Sequence, residues 1–265
     1  MRRIAYLVVP SLVAIATLPA QMIGPYTINP TWPASSINFA SLADATTALA
    51  AQGVAGPVDF LLYDDAGPFN EGSPFTTANT GGGFGTSTAV LTMASWLGAS
   101  STNRITWKPA LGERPVFDAT GRAMGVFWGG ADYVTLQGIE IRNAPFDGIC
   151  LYAEATHGIA QDPIIDSCVV HDCGGTGVTI YGNTAQPANT LVQNCTFWRC
   201  QLTNTGAFNQ TGRFGYISSR RSNGTRIVHN TFVMDAGVGG LLCVLGAYPA
   251  GVAEVPFAEI SNNMS

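Results

Sequence analysis

The sequence predicts an all-β solenoid, a parallel β-helix in which short strands wind around one axis and stack coil upon coil. Three observations support this fold class. A strand-like segment recurs four times with a partial fifth copy, a glycine follows it at a fixed distance, and the repeats alternate with a period of two residues rather than 3.6. The length of 265 residues suits one large all-β domain.

The composition excludes several other classes of protein. Charged residues make up only 11% of the chain, against about 25% in an average soluble domain, while hydrophobic residues reach 46%. A disordered chain needs low hydrophobicity and high net charge, and a coiled coil needs many Glu and Lys. The net charge of −5 argues against a nucleic-acid partner, because such binding depends on a basic surface.

The first twenty residues have the pattern of a secretory signal peptide. Arg2 and Arg3 precede a short apolar stretch over residues 4–18, and cleavage fits after Ala16 or after Ala20. The alternative is an uncleaved N-terminal anchor. No later apolar run approaches the roughly 20 residues of a membrane span. We therefore expect a secreted, periplasmic or cell-surface protein with no membrane span after the signal peptide.

Residues 21–63 are expected to form an N-terminal cap. Ser41 fits the N-cap of a helix over 41–52, with Asp44 three residues later as in a capping box. Leu42 and Leu49 lie on one apolar stripe together with Ala45, and Gly53 is a suitable stop. The first strand is expected over 57–63. Such a helix would cover the open edge and apolar interior at the start of a β-helix.

The remainder, residues 64–265, is expected to form the β-helix itself. A loop rich in Gly, Thr and Asn covers 64–87, and strands of the early coils are expected at 89–97, 104–107, 115–117 and 125–128. The fifth repeat ends in mid-coil at Ser265, without a cap. We therefore expect either a truncated chain or another element that covers this edge.

The repeats align on an anchor residue at the fourth position. The intervals between anchors are 29, 27, 36 and 32 residues, and the anchors are Gly138, Ser167, Asn194, Asn230 and Asn262. The residue two positions before each anchor is apolar: Leu136, Ile165, Val192, Val228 and Ile260. Because stacked coils place equivalent residues above one another, the three asparagines are expected to form a structural amide ladder.

A glycine ten residues after the anchor opens a second strand in three of the copies. It is Gly148, Gly177 or Gly240, and in the third copy the comparable strand begins at Gly215. That copy therefore carries an insertion of about eleven residues near 202–212. An insertion in one repeat that leaves the others in phase is typical of a loop leaving one turn of a solenoid.

These anchors resemble the right-handed parallel β-helix superfamily, the pectate-lyase-like proteins, and within it secreted bacterial β-helix repeat proteins. The resemblance rests on Val-Gln-Asn-Cys-Thr-Phe, on Val-His-Asn-Thr-Phe, on the following glycine and on residues 39–60, and it extends from about Tyr26 to the C-terminus. It implies a right-handed β-helix that binds or cleaves a polysaccharide on its lateral face.

The resemblance also implies candidate chemistry. Lyases of this superfamily remove the proton alpha to a uronate carboxylate, commonly with Arg or Lys and often with calcium. By this resemblance Arg220, Arg221 or Arg226 would be the base, and calcium is implied by the family alone. The sequence has no clustered acidic calcium motif, and Asp64-Asp65 fits a solvated turn better. The Asn-Thr-Asp and Gly-His-Gly motifs of the family's pectin hydrolases are missing.

Residues at equivalent positions of successive repeats are expected to stack in columns, and the columns just after the first strand of each repeat supply a second set of candidates. His171 and Asp172 fall beside Trp198 and Arg199 on adjacent coils, below Met234 and Asp235 and above Arg142 and Asn143. A Trp ring and hydrogen-bonding charges suit a sugar, and a His–Asp pair can serve as acid and base. The alternative is a solvated ion-pair column, in which Asp172, Arg199 and Asp235 alternate in sign.

Arginines are concentrated between residues 199 and 226. Five of the eleven arginines lie there: Arg199, Arg213, Arg220, Arg221 and Arg226. We interpret Arg199, Arg213 and Arg226, with Trp198, as substrate-binding residues for an anionic polysaccharide. Arg220, Arg221, His171 and Asp172 are the candidate catalytic residues.

The six cysteines lack the spacing of a zinc site, so no metal site is predicted. Cys168 and Cys195 are expected to stack inside as thiols. Cys173 and Cys200 occupy neighbouring coils at a spacing that permits a disulfide, with free thiols as the alternative. Cys150 and Cys243 lie three coils apart and are not expected to pair.

Two functional classes follow. One is a protein that binds or cleaves a polysaccharide, as a polysaccharide lyase or glycoside hydrolase if it is an enzyme. The other is a non-catalytic structural or adhesin-type β-helix. The insertion beside the Arg, Trp and His residues favours the first class, whereas the scarcity of charge and of catalytic motifs favours the second. The fold alone does not decide between them.

Overall fold

The computed structural model describes residues 21–77, 86–200, 216–233, 244–245 and 259–264. The predicted signal peptide, the insertion near 202–212, Arg213, Gly215, Met234, Asp235, Gly240 and Cys243 lie outside these residues. Within them the chain forms three long sheets, whose strands follow one another in a repeating order.

The described part contains one helix, α1 (Leu42–Gln52), and 21 strands. In chain order the strands are β1 (Met22–Ile28), β2 (Asn38–Phe39), β3 (Val54–Leu62), β4 (Ser73–Thr76), β5 (Thr86–Met93), β6 (Ile105–Pro109), β7 (Val116–Asp118), β8 (Met124–Gly129), β9 (Val134–Gln137), β10 (Glu140–Arg142), β11 (Ile149–Ala153), β12 (Ile164–Asp166), β13 (Val169–Cys173), β14 (Val178–Gly182), β15 (Leu191–Gln193), β16 (Thr196–Cys200), β17 (Ile217–Arg220), β18 (Arg226–Val228), β19 (Thr231–Val233), β20 (Val244–Leu245) and β21 (Glu259–Ser261).

Each complete coil contributes one strand to each of three sheets. Sheet A has the order β2-β1-β3-β6-β9-β12-β15-β18-β21, sheet B has β7-β10-β13-β16-β19, and sheet C has β4-β5-β8-β11-β14-β17-β20. Within the described residues every neighbouring pair is parallel except β4–β5. The prediction of a parallel β-helix is therefore confirmed.

The corner between sheets A and B is very short in the later coils. Two residues separate the strands, and the first of them has a positive φ in every copy: Gly138, Ser167, Asn194, His229 and Asn262. Glycine adopts this left-handed conformation without steric cost, and Asn tolerates it better than most residues. Four of the five predicted anchors thus share one backbone conformation, and the fourth copy differs.

The predicted phase of the fourth copy is wrong by one residue. Val192 pairs with Ile227 rather than with Val228, so His229 takes the anchor position. Sheet B shows the same shift, because Phe197 pairs with the buried Phe232 and Val233 is 48% exposed. The local sequence Ile-Val-His-Asn has two adjacent apolar residues, so the two-residue alternation does not fix which of them faces inward.

The predicted amide ladder through Asn194, Asn230 and Asn262 is consequently wrong. Asn230 is fully buried, and its side chain accepts the Cys195 N–H at 2.9 Å and donates to the Val192 carbonyl at 3.0 Å. It also donates to Asn263 Oδ1 at 3.1 Å, so the stacked amide pair is Asn230 with Asn263. Asn194 instead donates to Asp166, and Asn262 contacts His229.

The core is a column of apolar side chains that runs the length of the solenoid. Inward-facing residues stack in register, as in Leu136, Ile165, Val192 and Ile227 of sheet A. Aromatic rings stack in the same way, with centroids 4.3 Å apart for Phe60 and Trp107 and 5.3 Å apart for Phe197 and Phe232. Such burial, at about 25 cal/mol per Å² of apolar surface, supplies most of the stabilisation of the fold.

The helix lies where the sequence predicts it. The Ser41 hydroxyl accepts the Asp44 N–H at 3.0 Å, and the buried residues are Leu42, Ala45 and Leu49. Glu71, which the sequence did not single out, accepts the N–H groups of Leu42 and Ala43. Gly53 ends the helix with a φ of 66°. None of the helical residues that the structure describes forms a segment long and apolar enough to cross a bilayer.

Two predictions near the N-terminus need correction. The strand expected at 57–63 belongs to β3 and is not the first, because β1 and β2 precede it in sheet A. The solenoid therefore starts before α1. The predicted loop over 64–87 contains β4, which pairs antiparallel with β5. In β4 Ser73 and Phe75 are buried and alternate with exposed residues, a strand pattern that the flanking glycines obscure.

Sheet C begins at a tightly packed glycine column. The column contains Gly125, Gly148 and Gly177, and the third-copy residue in register with it is Tyr216 rather than Gly215. A Cβ on Gly148 would lie 2.4 Å from Val170 Cγ1. The glycines are therefore required because sheet B side chains pack directly against this backbone.

The five described cysteines are buried free thiols, so the predicted Cys173–Cys200 disulfide is not present. Both residues face inward as register partners, as do Cys168 and Cys195 in the predicted thiol stack. Each thiol is within reach of a carbonyl of its own coil, such as Cys200 Sγ and Trp198 O at 3.5 Å. Burial raises the pKa of the Cys195 and Cys200 thiols, which keeps them protonated.

Candidate functional site

The outer face of sheet B brings together the four residues that the columns predict. Strands β13 and β16 pair so that His171 lies opposite Trp198. Their rings stack with centroids 4.1 Å apart and planes 10° from parallel. One face of the Trp198 ring is therefore covered by His171, which limits its use as a stacking surface for a sugar.

His171 is also held by two carboxylates. Its Nδ1 lies 2.6 Å from Asp172 Oδ2 and its Nε2 lies 3.2 Å from Glu140 Oε1. Neither ring nitrogen is free to accept a proton from a substrate unless a carboxylate moves away. A general base must reach the proton that it removes, so this arrangement favours a positioning role for His171 over a catalytic one.

Two arginines complete the network. Arg199 Nε lies 2.9 Å from Asp172 Oδ1, and Arg142 bridges Asp118 and Glu140 at 3.1 Å each. We call this set the polar face of sheet B: Asp118, Glu140, Arg142, His171, Asp172, Trp198 and Arg199. The set spans four coils. The prediction that Met234 continues this column is wrong, because Val233 pairs with Trp198.

The electrostatics of the polar face follow from these contacts. Partial burial would raise the pKa of Asp118, but hydrogen bonds from Thr120, Asn143 and Arg142 lower it to about 2. Burial likewise opposes the charge of Arg142, while Asp118 and Glu140 raise the pKa of its guanidinium. Asp118 and Arg142 thus favour the ionised forms of each other.

The backbone adopts a left-handed conformation at the column that contains Asp172 and Arg199. Asn143, Asp172 and Arg199 each have a positive φ, at 58°, 53° and 47°. The same conformation recurs in three successive coils, so it belongs to the exit from sheet B rather than to local strain at one residue. It places Asp172 and Arg199 at the edge of the sheet, where Arg199 is 54% exposed.

The arginines predicted to act together lie on different sheets. Arg220 ends β17 in sheet C, opposite Tyr181, and Arg221 follows it. Arg226 begins β18 in sheet A and pairs with Glu259 at 2.7 Å. A single coil visits all three sheets, so arginines close in sequence face different directions. The described residues give no common site for these arginines and the His171–Trp198 pair.

The outer face of sheet C holds acidic residues that sequence reasoning missed. Asp147 is fully buried and accepts the Thr176 N–H at 2.8 Å and the hydroxyls of Thr176 and Thr179. Glu154, only 2% exposed, accepts the Tyr152 hydroxyl at 2.6 Å and contacts His157. Both acids flank β11, and this position at the ends of one strand is the signal that could have found them.

The buried acids are satisfied by hydrogen bonds. Burial alone would raise the pKa of Glu154, but hydrogen bonds from Tyr152, Thr156 and Asn183 lower it. Burial and the Glu154 carboxylate raise the pKa of Tyr152. The two acids flank a five-residue strand, so they lie roughly 20 Å apart, too far for the roughly 5–10 Å of a glycosidase pair. Among the described residues, no three His, Cys, Asp or Glu side chains are arranged to hold a metal ion.

Comparison with known proteins agrees with this architecture. A family model described as "Right handed beta helix region" matches residues 101–232. The chain therefore has the right-handed parallel β-helix fold that this family model describes. The crystal structure of pectate lyase Pel9A superimposes with a TM-score of 0.51 and 16% sequence identity, over 80% of this chain and 48% of that one.

These matches establish the fold of this β-helix protein and leave its activity open. The chain spans about half the length of pectate lyase Pel9A, and an identity of 16% indicates shared architecture only. No curated protein matches the sequence.

Proposed function

We propose that this β-helix protein binds a polysaccharide along its lateral face, through the polar face of sheet B. The main observation that supports this proposal is the concentration of mutually bonded charged side chains on that face. In a chain with only 11% charged residues, five charged side chains and His171 form one connected network over four coils. Their mutual bonds orient donors and acceptors before a ligand arrives, which lowers the entropic cost of binding hydroxyl groups.

Two observations favour binding over cleavage at this face. Both nitrogens of His171 face carboxylates, and each arginine of the face is paired with an acid. A lyase needs an unoccupied base beside the uronate carbon. Arg220 and Arg221 remain the proposed base if cleavage occurs, and that reaction would then take place on the sheet C side.

A structural role is the second candidate. The carboxylates of the polar face are paired internally, as expected for side chains that only join neighbouring coils. A binding experiment separates the two proposals. The protein is tested for retention on immobilised neutral, uronate-containing and amino-sugar polysaccharides. The absorbance of unsaturated products is followed in parallel, so that lyase activity is seen if it is present.

Variants locate the binding face. Arg199→Met and Asp172→Asn each remove a charged hydrogen-bonding group and should weaken retention roughly tenfold, as expected for a charge-assisted hydrogen bond. Lys108→Met is the matched control, because it breaks the Lys108–Asp59 ion pair on sheet A without touching sheet B. Equal retention of all three variants, or no retention on any polysaccharide, would contradict binding at this face and support the structural role.

A further inference from the structure

A surface distinct from the polar face of sheet B lies at the ends of the sheet A strands in the first coils. From β9 onward the connection that follows a sheet A strand has two residues, but β1, β3 and β6 are each followed by a longer loop. The loops lie side by side, because Tyr63 donates its N–H to Ile28 O and Ala110 donates to Leu62 O. They bring together Trp32 from the first loop, Tyr63 to Asp65 from the second, and Glu113 from the third.

Trp32 is presented to solvent on this surface. Its ring contacts Tyr63 with centroids 4.8 Å apart at 44°, and the residue is 44% exposed. By contrast Trp96, Trp107 and Trp128 are buried, and Trp198 stacks on His171. An aromatic face with polar neighbours suits a sugar ring or a cation.

The neighbouring groups are acidic and are tied to the aromatic loop. Asn29 is fully buried, donates to Asp65 Oδ2 at 2.7 Å and accepts the Thr31 N–H at 2.9 Å. Glu113 Oε2 accepts the Asp64 N–H at 3.4 Å. Unlike the acids of sheet B, these three carboxylates form no ion pair with any Lys, Arg or His in the described part of the chain.

The acids repel one another. A side-chain hydrogen bond with Asp64 raises the pKa of the Glu113 carboxyl, and the charges of Asp64 and Asp65 act in the same direction. A cation placed among them would relieve this repulsion. The negative charge excludes an anionic ligand, and the aromatic surface beside it favours a cation carried on a ring.

We propose that Trp32, Tyr63, Asp64, Asp65 and Glu113 form a subsite for a protonated amino sugar. The ring would lie on Trp32 and the ammonium group would pair with the carboxylates. The proposal rests on the proposed polysaccharide binding and names a substrate class for it. It also replaces the anionic polysaccharide that the number of arginines favoured, since the arginines of that stretch that the structure describes are dispersed or paired.

The test uses two ligands that differ only in charge. Binding of glucosamine oligomers and of N-acetylglucosamine oligomers of equal length is measured by calorimetry on the full chain, at a pH where the amines are protonated. We expect the free amines to bind at least tenfold more tightly. Trp32→Ala and Glu113→Gln should each lower the affinity about tenfold, whereas Asp44→Asn, an acid on α1, should not. Circular dichroism verifies that each variant is folded.

The outcomes separate this inference from the proposed function. Equal affinity for both oligomers, or full affinity in folded Trp32→Ala, overturns the subsite; if Arg199→Met still weakens polysaccharide retention, binding at sheet B stands alone. If Trp32→Ala loses affinity for the oligomers and Arg199→Met has no effect on retention, the subsite is supported and the proposed binding at sheet B is overturned. Equal binding of an oligolysine peptide would overturn the amino-sugar assignment, because it would show that charge alone is recognised.

Discussion

The outer faces of sheets B and C both hold carboxylates, but the groups that bind these carboxylates differ between the two faces. On sheet B, carboxylates lie at the surface and are neutralised by Arg142 and Arg199. On sheet C, Asp147 and Glu154 are buried and are satisfied mostly by hydroxyl and amide donors. Exposed ion pairs contribute little to stability and can exchange partners, whereas buried acids must keep their donors. Sheet C is therefore suited to holding the solenoid together, and this difference is why we place the proposed binding on sheet B.

The largest expected effect comes from removing a buried acid. Asp147→Ala leaves two hydroxyls and one N–H without their acceptor, so it should lower the free energy of unfolding by about 3 kcal/mol or more. Asp172→Ala, the comparable change on sheet B, should cost about 1 kcal/mol or less. Urea denaturation of both variants measures the two free energies of unfolding. Equal losses would contradict the proposed difference between the two faces.

The junction of the two sheets should be the next most sensitive position. Gly148→Ala adds a methyl group that would overlap Val170 and should destabilise the protein by about 1–3 kcal/mol. The double variant with Val170→Ala should recover part of this loss, because it removes the nearest atom that the methyl group meets, whereas Gly177 O at 2.8 Å remains. Thermal unfolding of the four members of the cycle gives the coupling energy, and strict additivity would contradict the packing argument.

The acid response of sheet B should be smaller and should depend on pH. The folded pKa of Asp118, about 2, lies below its unfolded value, so its stabilisation is complete above about pH 4 and is lost as the pH falls towards 2. Asp118→Asn should cost about 1–2 kcal/mol at neutral pH and progressively less across that interval. Unfolding free energies at several acidic pH values test this, and a constant difference would refute the linkage.

The smallest effect on stability should come from Arg199→Met. Its guanidinium is half exposed and paired with one carboxylate, so the loss should stay within about 1 kcal/mol and diminish with added salt. Thermal midpoints at low and high salt measure it. A large, salt-insensitive loss would mean that the polar face is structural after all.

The sequence allowed the first three repeat copies to be aligned correctly, because the inward-facing apolar residue of each anchor segment is followed by a polar one: Gln137, Asp166 or Gln193. The fourth copy has Ile227 and Val228 in succession, so the asparagine decided the alignment and shifted it by one residue. Asn230 is buried against backbone groups, a role that only the three-dimensional neighbours of the residue specify.

The predicted contact of His171 with Trp198 within one column is confirmed, whereas the predicted grouping of these residues with Arg220 and Arg226 is not. His171 and Trp198 follow equivalent strands in adjacent coils, so their spacing alone predicts the contact. The described arginines from 199 to 226 are close in sequence but are distributed over three sheets: Arg199 lies in sheet B, Arg220 in sheet C and Arg226 in sheet A. Trp32 and Glu113 lie far apart in sequence, and each contacts the loop that contains Tyr63 and Asp64. No periodicity determines the paths of these loops.

The two-residue corner between sheets A and B has a consequence for how such a solenoid varies in length. One extra residue there would invert the next strand, sending core side chains outward and surface charges inward. The other two corners, such as residues 143–148 and 154–163, contain slack that absorbs added residues. In the coils from β9 onward, foreign peptides displayed on this scaffold, and natural length variation among relatives, should therefore be confined to those two corners.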